Sequence, residues 1–339
     1  MSKLKLGVIA PSEVAFRRFL PALMQNSNFE FAGISVASQE EWCETGSAET
    51  YVKIKDNERQ KAQSFIDAYG GKLFDSYQAL IFSDIDALYV PLPPSLHFRW
   101  GKLALDCGKH ILLEKPFTTS SADTEALVAA AKVSNLAVHE NYAFLYHPQL
   151  STIRRLLDSG VIGELRLIRT TFSFPLRSAN DFRYNKQLGG GALLDAGGYV
   201  IRLACELLGD SAYVADSQIG YTDGFDVDMF GNLTLKNADG VTVQAAYGMD
   251  NGYQCKLELF GSKGKMYANR IFTAPPDFTP EIIIETSDGI NTVNVPAANQ
   301  FALSIDRFYQ LITDLKLREA AQNSISLQSK LVERIKEQL

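Results

Sequence analysis

The residues of this chain best suited to chemistry stand in one short stretch, Gly108-Lys109-His110-Ile111-Leu112-Leu113-Glu114-Lys115-Pro116-Phe117. Ile111, Leu112 and Leu113 form an apolar run of the kind that fills a fully buried parallel strand. The run ends in a charged pair and a proline, so Glu114 and Lys115 sit at a strand's carboxyl end, where open α/β sheets bind their ligands. Pro116 has no amide hydrogen and turns the chain out of the sheet. A partly desolvated lysine there can act as an acid or donate to a carbonyl or hydroxyl oxygen. Taken alone, the pair reads equally well as a surface Glu-Lys pair.

A second candidate group lies in Gly189-Gly190-Gly191-Ala192-Leu193-Leu194-Asp195-Ala196-Gly197-Gly198-Tyr199. Asp195 and Tyr199 are four apart, hence on one face if a helix begins this early. Three successive glycines allow close backbone approach. An aspartate near a helix start is also a common cap, and a tyrosine is also a packing residue.

Elements must exist to position these groups. Residues 4–10 read as a first strand, and Val14, Phe16, Phe19, Leu20 and Leu23 then repeat at helical spacing. The intervening turn is where a dinucleotide fingerprint would carry G-x-G-x-x-G/A, and its three anchor positions hold Ala10, Ser12 and Ala15. Small residues let first-turn amides approach a pyrophosphate, although Glu13 would repel it if turned inward and Pro11 removes one amide. A second strand, 31–36, ends at Ala37-Ser38-Gln39 without the acidic residue that would hold a ribose 2′-hydroxyl, which points to NADP. Arg17 and Arg18 could supply positive charge or form a solvated helix face. Residues 40–58 read as a surface loop before a helix over 58–68. A buried strand then runs from Asp86, breaks at Pro91 and Pro93, and leads into a helix over 98–107. This places His97 at the helix start, as a cofactor contact or a capping histidine. A helix over 121–134 and a strand over 136–139 complete the alternation, which stops near residue 142.

The later half changes period. After a helix over 148–159, alternating runs over 165–174, 230–235, 241–247, 255–260 and 282–285, with turns at 237–240 and 261–264, predict a mostly antiparallel sheet. The fold class is therefore α/β: a doubly wound parallel-sheet domain over 1–142 and an α+β domain with an open-faced sheet over 143–339. Apolar residues on both alternations of 241–247 predict a homodimer through that sheet.

Composition narrows the function. The 339 residues are 46% hydrophobic and 21% charged with a net charge of −6, which gives no electrostatic reason for nucleic-acid or membrane binding. Cys43, Cys107, Cys205 and Cys255 show no metal-ligand spacing and no disulfide framework, so no metal is expected and the chain reads as cytoplasmic. The apolar run before Pro11 is too short for a signal peptide or a membrane span.

Together, Glu114-Lys115-Pro116, Tyr146-His147-Pro148-Gln149, Gly160-Val161-Ile162-Gly163 and the stretch from Gly189 to Tyr199 resemble the glucose-fructose oxidoreductase/inositol dehydrogenase (Gfo/Idh/MocA) family over nearly the whole chain. More narrowly, residues 140–149, Asp181-Phe182-Arg183-Tyr184 and 272–280 look like the nucleotide-sugar 3-ketoreductases of deoxysugar pathways, as do Arg17-Arg18 and Leu20-Pro21-Ala22. The resemblance implies Lys115, Asp195 and Tyr199 as catalytic residues. It implies substrate contacts from Lys115, Tyr142, Arg183, Asp195 and Tyr199. It implies cofactor contacts from Ala10, Pro11, Ser12, Glu13, Val14, Ser38, Gln39, Leu92, His97, Glu114, Lys115 and Asn141. The implied reaction is NADP(H)-dependent reduction of a sugar keto group, the sugar being nucleotide-linked, with NAD(H) as the alternative cofactor. A free-sugar or polyol dehydrogenase, and an inactive Rossmann-fold sensor or scaffold, stand as alternatives, and the resemblance implies that the homodimer can pair into a homotetramer. Two departures bear on the cofactor: Ala10 replaces the usual first glycine, and Gln39 stands where NADP-using relatives often have arginine.

Overall fold

In the computed structural model, which describes residues 2–43 and 47–338, the chain folds into two compact units. The first contains residues up to 118, then 122–141 and 304–322. The second contains 119–121, 142–303 and the residues after 322.

The first unit is built on six parallel strands: β1 (Leu4–Ile9), β2 (Phe29–Ser35), β3 (Lys72–Phe74), β4 (Ala87–Val90), β5 (His110–Leu113) and β6 (Val138–Glu140). Their spatial order, β3-β2-β1-β4-β5-β6, reverses between β1 and β4, the switch point of a doubly wound sheet. All four residues of β4 and three of the four in β5 are buried, which is why these strands are unbroken apolar runs. The connecting helices include α1 (Leu20–Leu23), which continues a π-helical turn over Ala15–Phe19, α2 (Gln39–Cys43), α3 (Ala48–Tyr69), α4 (Tyr77–Ile81), α5 (His97–Asp106) and α6 (Ser121–Val133). The loop expected over 40–58 is largely helical instead, apart from 44–46, which lie outside the described residues. Ser47 caps α3 by accepting from the Thr50 amide at 3.1 Å. Only Ala62 and Phe65 of α3 are buried, so most of the helix carries no apolar period to betray it.

The second unit opens with α7 (Pro148–Asp158) and holds eight strands: β7 (Leu165–Ser173), β8 (Tyr213–Tyr221), β9 (Asp228–Lys236), β10 (Thr242–Gly248), β11 (Gln254–Gly261), β12 (Gly264–Asn269), β13 (Glu281–Thr286) and β14 (Gly289–Asn294). They lie in the order β14-β13-β12-β11-β7-β10-β9-β8, antiparallel except for β7 beside β10. One face packs on α8 (Gly198–Leu208) through Ile168, Phe172, Val243, Ala245 and Tyr247. The other alternation of β10 carries Thr242, Gln244 and Ala246, so Ala246 alone supplies the apolar character expected on that face. On β7 the same face carries Arg169, which donates to Gln244 and covers the Phe260 ring.

Two C-terminal helices, α9 (Gln300–Thr313) and α10 (Leu315–Glu337), follow the second sheet. The part of them over 304–322 belongs to the first unit. There Phe308 stacks on Phe29 at 5.7 Å, and Arg318 donates to the carbonyls of Leu311, Ile312 and Asn135. No described helix is long and apolar enough to cross a membrane.

Candidate active site

The exit of β5 is held atom by atom. Glu114 Oε1 accepts from the Tyr89 hydroxyl and from Asn141 Nδ2, both at 2.6 Å. Burial, then the neighbouring Glu114 charge, pushes the Tyr89 phenol far up, so it stays a donor. Asn141 Oδ1 in turn accepts from Ser304 Oγ at 2.8 Å, and with that proton committed the 2.8 Å contact of His139 Nε2 to Ser304 requires Nε2 to donate. One residue on, the Phe117 amide donates to Glu140 at 2.7 Å. Half-buried Lys115 thus leaves from a backbone fixed on both sides, the preorganisation that an electrostatic role requires.

His97 lies on the same edge but is fully buried, so it offers no surface to a cofactor. Its Nε2 is 2.8 Å from the Leu92 carbonyl and its Nδ1 2.9 Å from that of Pro116. It therefore braces the exits of β4 and β5 against each other. Burial lowers its pKa, against the pull of these carbonyls.

The turn after β1 suits a pyrophosphate. Ala10 adopts φ 67°, the left-handed conformation that explains why glycine is usual at this position. Ser12 Oγ accepts from the Ala15 amide at 3.2 Å, and the first-turn amides of Glu13 and Val14 face the start of the helical segment, where no intrahelical acceptor exists. Glu13 is turned to solvent, paired with Arg17 at 2.9 Å, which removes the expected repulsion. At the end of β2, Ser38 and Glu41 form a reciprocal cap: the Ser38 amide donates to Glu41 at 2.9 Å, and Ser38 Oγ accepts from the Glu41 amide at 3.3 Å. The Glu41 carboxylate also accepts from the Tyr77 and Gln78 amides at 2.9 Å, so backbone donors consume it, while Glu40 beside it is exposed. Exposed Gln39 begins α2. The donor set of this edge fits a dinucleotide phosphate, and the buried Nε1–H of Trp42 beside it has no partner among the described residues.

In the second unit, the glycine run sets the start of a helical segment. Gly191 has φ 117°, and a Cβ there would lie 2.2 Å from Asp228 Oδ1. Asp228 accepts from the Leu193 amide at 2.6 Å, capping the π-helical turn Leu193–Gly197 that precedes α8. Its pKa is raised by burial, against the pull of these amide bonds. Helical turns are therefore already under way at Asp195, whose Oδ2 accepts from Arg183 Nε at 2.7 Å. Arg183 also donates to Asp181 at 3.1 Å. Burial pulls this guanidinium down, but the charges and hydrogen bonds of Asp195 and Asp181 outweigh it and hold it above its ordinary value. Tyr199, half-buried, sits among the rings of Tyr142, Phe144, Phe172 and Phe272 at centroid distances of 4.8 to 5.9 Å. Tyr142, expected at the substrate, is fully buried and its hydroxyl accepts from Gln328 at 3.0 Å, which makes it a packing residue.

The first unit thus gathers Leu92, His97, Glu114, Lys115 and Asn141 at one sheet edge, with the Ala10–Val14 turn and Ser38 on the exits of β1 and β2. The second gathers Arg183, Asp195 and, by ring contact, Tyr142 and Tyr199. Tyr89, Glu41 and Asp228 were missed, because each acts through a partner distant in sequence, and Asp181, though part of a quoted motif, was given no role of its own.

Family comparison decides the class. Residues 17–142 match the oxidoreductase family with an NAD-binding Rossmann fold, and residues 150–267 match the GFO/IDH/MocA C-terminal domain. The chain belongs to the GFO/IDH/MocA family. It is an NAD(P)-dependent oxidoreductase. The dTDP-3,4-didehydro-2,6-dideoxy-alpha-D-glucose 3-reductase of Actinomadura kijaniata is 37% identical over 91% of this chain and 87% of its own length. That of Streptomyces antibioticus is 32% identical over 98% and 96%. The structure of KijD10, a 3-ketoreductase from Actinomadura kijaniata in complex with NADP and TDP-benzene, superposes with a TM-score of 0.88 at 36% identity, covering 99% of this chain and 98% of that one.

Proposed function

We propose that this protein reduces the 3-keto group of a nucleotide-linked deoxysugar with NADPH. The observation that carries this reading is the match, over nearly the whole chain, to reductases named for that reaction, one of them solved with NADP and a TDP ligand. When bound, NADPH supplies the hydride. The chain's own residues do the rest. Lys115 presents positive charge as the carbonyl oxygen becomes negative, and the fixed β5 exit spares it reorganisation. Tyr199 gives its phenol proton to the developing alkoxide. Asp195, held by Arg183, orients a substrate hydroxyl. The Glu13 and Val14 amides would hold the phosphates of the cofactor, and Ser38 would stand at its adenosine ribose. We also assign a homodimer, formed through the open sheet face around Arg169, Gln244 and Phe260.

The test is NADPH consumption with a dTDP-linked 3-keto-2,6-dideoxysugar. Turnover of that substrate, with free aldoses and polyols inert, is the expected outcome. Preferential oxidation of a free sugar with NADP⁺ would overturn the substrate assignment, and failure to bind either nicotinamide would overturn the enzyme assignment.

A further inference from the structure

The residue before Tyr199 is gripped by a side chain from the last helix. Gly198 presents its carbonyl to Gln328 of α10, whose Nε2 donates to it at 3.1 Å. The same Nε2 donates to the Tyr142 hydroxyl at 3.0 Å. That hydroxyl lies directly against Gly198, where any Cβ would overlap it, so the phenol can sit there only because the residue is glycine. The Tyr142 ring then meets the Tyr199 ring edge-on, with centroids 5.1 Å apart and planes at 85°. Two restraints on Tyr199, the position of its backbone and the tilt of its ring, thus end on one amide nitrogen.

Packing alone does not ask for a glutamine here. Gln328 is 3% exposed and its Oε1 meets no protein donor among the described residues, a desolvation cost that a methionine of similar size would not carry. What the position does need is a donor. Gly198 begins α8 directly after the π-helical turn Leu193–Gly197, where the hydrogen-bond ladder changes spacing and the helix determines its own direction least. Asp228 fixes the start of that turn through the Leu193 amide, and Gln328 fixes its end. The Tyr199 hydroxyl stands at the tip of a long rigid side chain, so a small rotation at its Cα becomes a displacement on the order of 1 Å at the oxygen. A misplacement of that size costs about a hundredfold in rate.

We propose that Gln328 is a positioning residue for Tyr199, aiming its hydroxyl through the Gly198 carbonyl and the Tyr142 ring. The proposal rests on the reading of Tyr199 as proton donor given above, and it gives the C-terminal helix a part in the chemistry.

Single-turnover oxidation of enzyme-bound NADPH by a dTDP-linked 3-keto-2,6-dideoxysugar, followed by absorbance, tests it. Gln328→Met fills the same space without a donor. Its rate at saturating sugar should fall by about tenfold to a hundredfold, while the half-saturating sugar concentration and NADPH affinity stay within about threefold. In a Tyr199→Phe background the same substitution should cost less than about twofold, because a group that acts through the phenol then has nothing left to aim. Tyr142→Phe keeps the ring and loses the hydroxyl. It should lower the rate by about threefold or more, again only when Tyr199 is present, and it decides the matter if Gln328→Met does not fold. An undiminished rate in folded Gln328→Met overturns the proposal. So does an equal loss with and without the Tyr199 hydroxyl, which is what a purely structural glutamine would give. Full turnover in Tyr199→Phe alone overturns the role of Tyr199 on which the proposal stands, and a wild type inert toward the sugar overturns the functional reading itself.

Discussion

Replacing Arg183 by methionine isolates the electrostatic keystone of the second unit. The side chain is 18% exposed and bridges Asp195 at 2.7 Å and Asp181 at 3.1 Å, whose side chains are 12% and 14% exposed. Methionine fills much of the same volume, so the loss is chiefly of charge and of two charge-assisted hydrogen bonds. Two carboxylates would then stand together, largely out of water, without the guanidinium that both accept from. Breaking a buried pair by removing one partner costs about 3–5 kcal/mol, and the residual exposure here places the expected loss near the lower end, roughly 3 kcal/mol. Asp195→Asn removes the charge but keeps an acceptor, and should cost about 1 kcal/mol. In the double variant only one carboxylate loses the guanidinium, so the two changes should couple by roughly 1–2 kcal/mol. Both tryptophans, Trp42 and Trp100, lie in the first unit, so far-ultraviolet circular dichroism is the probe to follow for the second. Denaturant midpoints of the four proteins give the cycle. A loss under about 1 kcal/mol for Arg183→Met, or strict additivity, would refute the idea that this guanidinium compensates both carboxylates. Arg183→Lys should recover part of the stability but not the two-carboxylate geometry.

The parts of the fold legible in the sequence were those whose burial is one-dimensional. β4 and β5 are covered on both faces and read as solid apolar runs, and β7, β10 and β11 alternate because one face is wet. β8 and β14, at the edges of the second sheet, have no buried residue, and their segments went unread for that reason. The beginning of α3 was hidden by its polar surface. The C-terminal helices were missed although Ile305, Phe308 and Leu311 repeat at helical spacing. That they rejoin the first unit is written in contacts such as Ser304 with Asn141, 163 residues apart, which no local pattern records. The candidate site divides the same way. Glu114, Lys115, Asp195 and Tyr199 stand in short motifs, whereas Tyr89 and Asp228, which hold their surroundings, declare themselves only through partners. His97 and Tyr142 show the opposite failure: each sits in a suggestive motif, and each is spent inside the protein.

The remaining predictions address separate links of the argument. Lys115→Met and Tyr199→Phe should each lower kcat by about a hundredfold or more while NADPH affinity changes by less than about tenfold, and full turnover in either would remove its proposed role. Ala10→Gly should raise thermal stability by about 1 kcal/mol, because φ 67° is strained for alanine; a destabilised variant would show that the methyl is needed for packing. Light scattering should give twice the monomer mass at micromolar protein, and Gln244→Arg, which sets a second cation beside Arg169, should weaken that dimer; a monomeric wild type would refute the assembly. The last concerns His110, whose Nδ1 accepts from the Ala137 amide at 2.9 Å. Burial, then the charge of Arg318, lowers its pKa to about 4 from an ordinary 6.5, with Asp86 opposing. The folded state therefore binds this proton later than the unfolded chain as pH falls. Its stabilising effect is complete above pH ~6.5 and is lost between there and pH ~4, at about 1.4 kcal/mol per pH unit and roughly 3 kcal/mol in all. Other groups titrate in the same range, among them His97 and His147, both lowered chiefly by burial, so the informative quantity is a difference between proteins. His110→Asn can keep an acceptor for the Ala137 amide and cannot protonate. Its stability, measured by denaturant midpoint, should therefore fall less steeply than that of the wild type below pH ~6.5, and parallel curves would show that protonation of His110 is not what the fold resists.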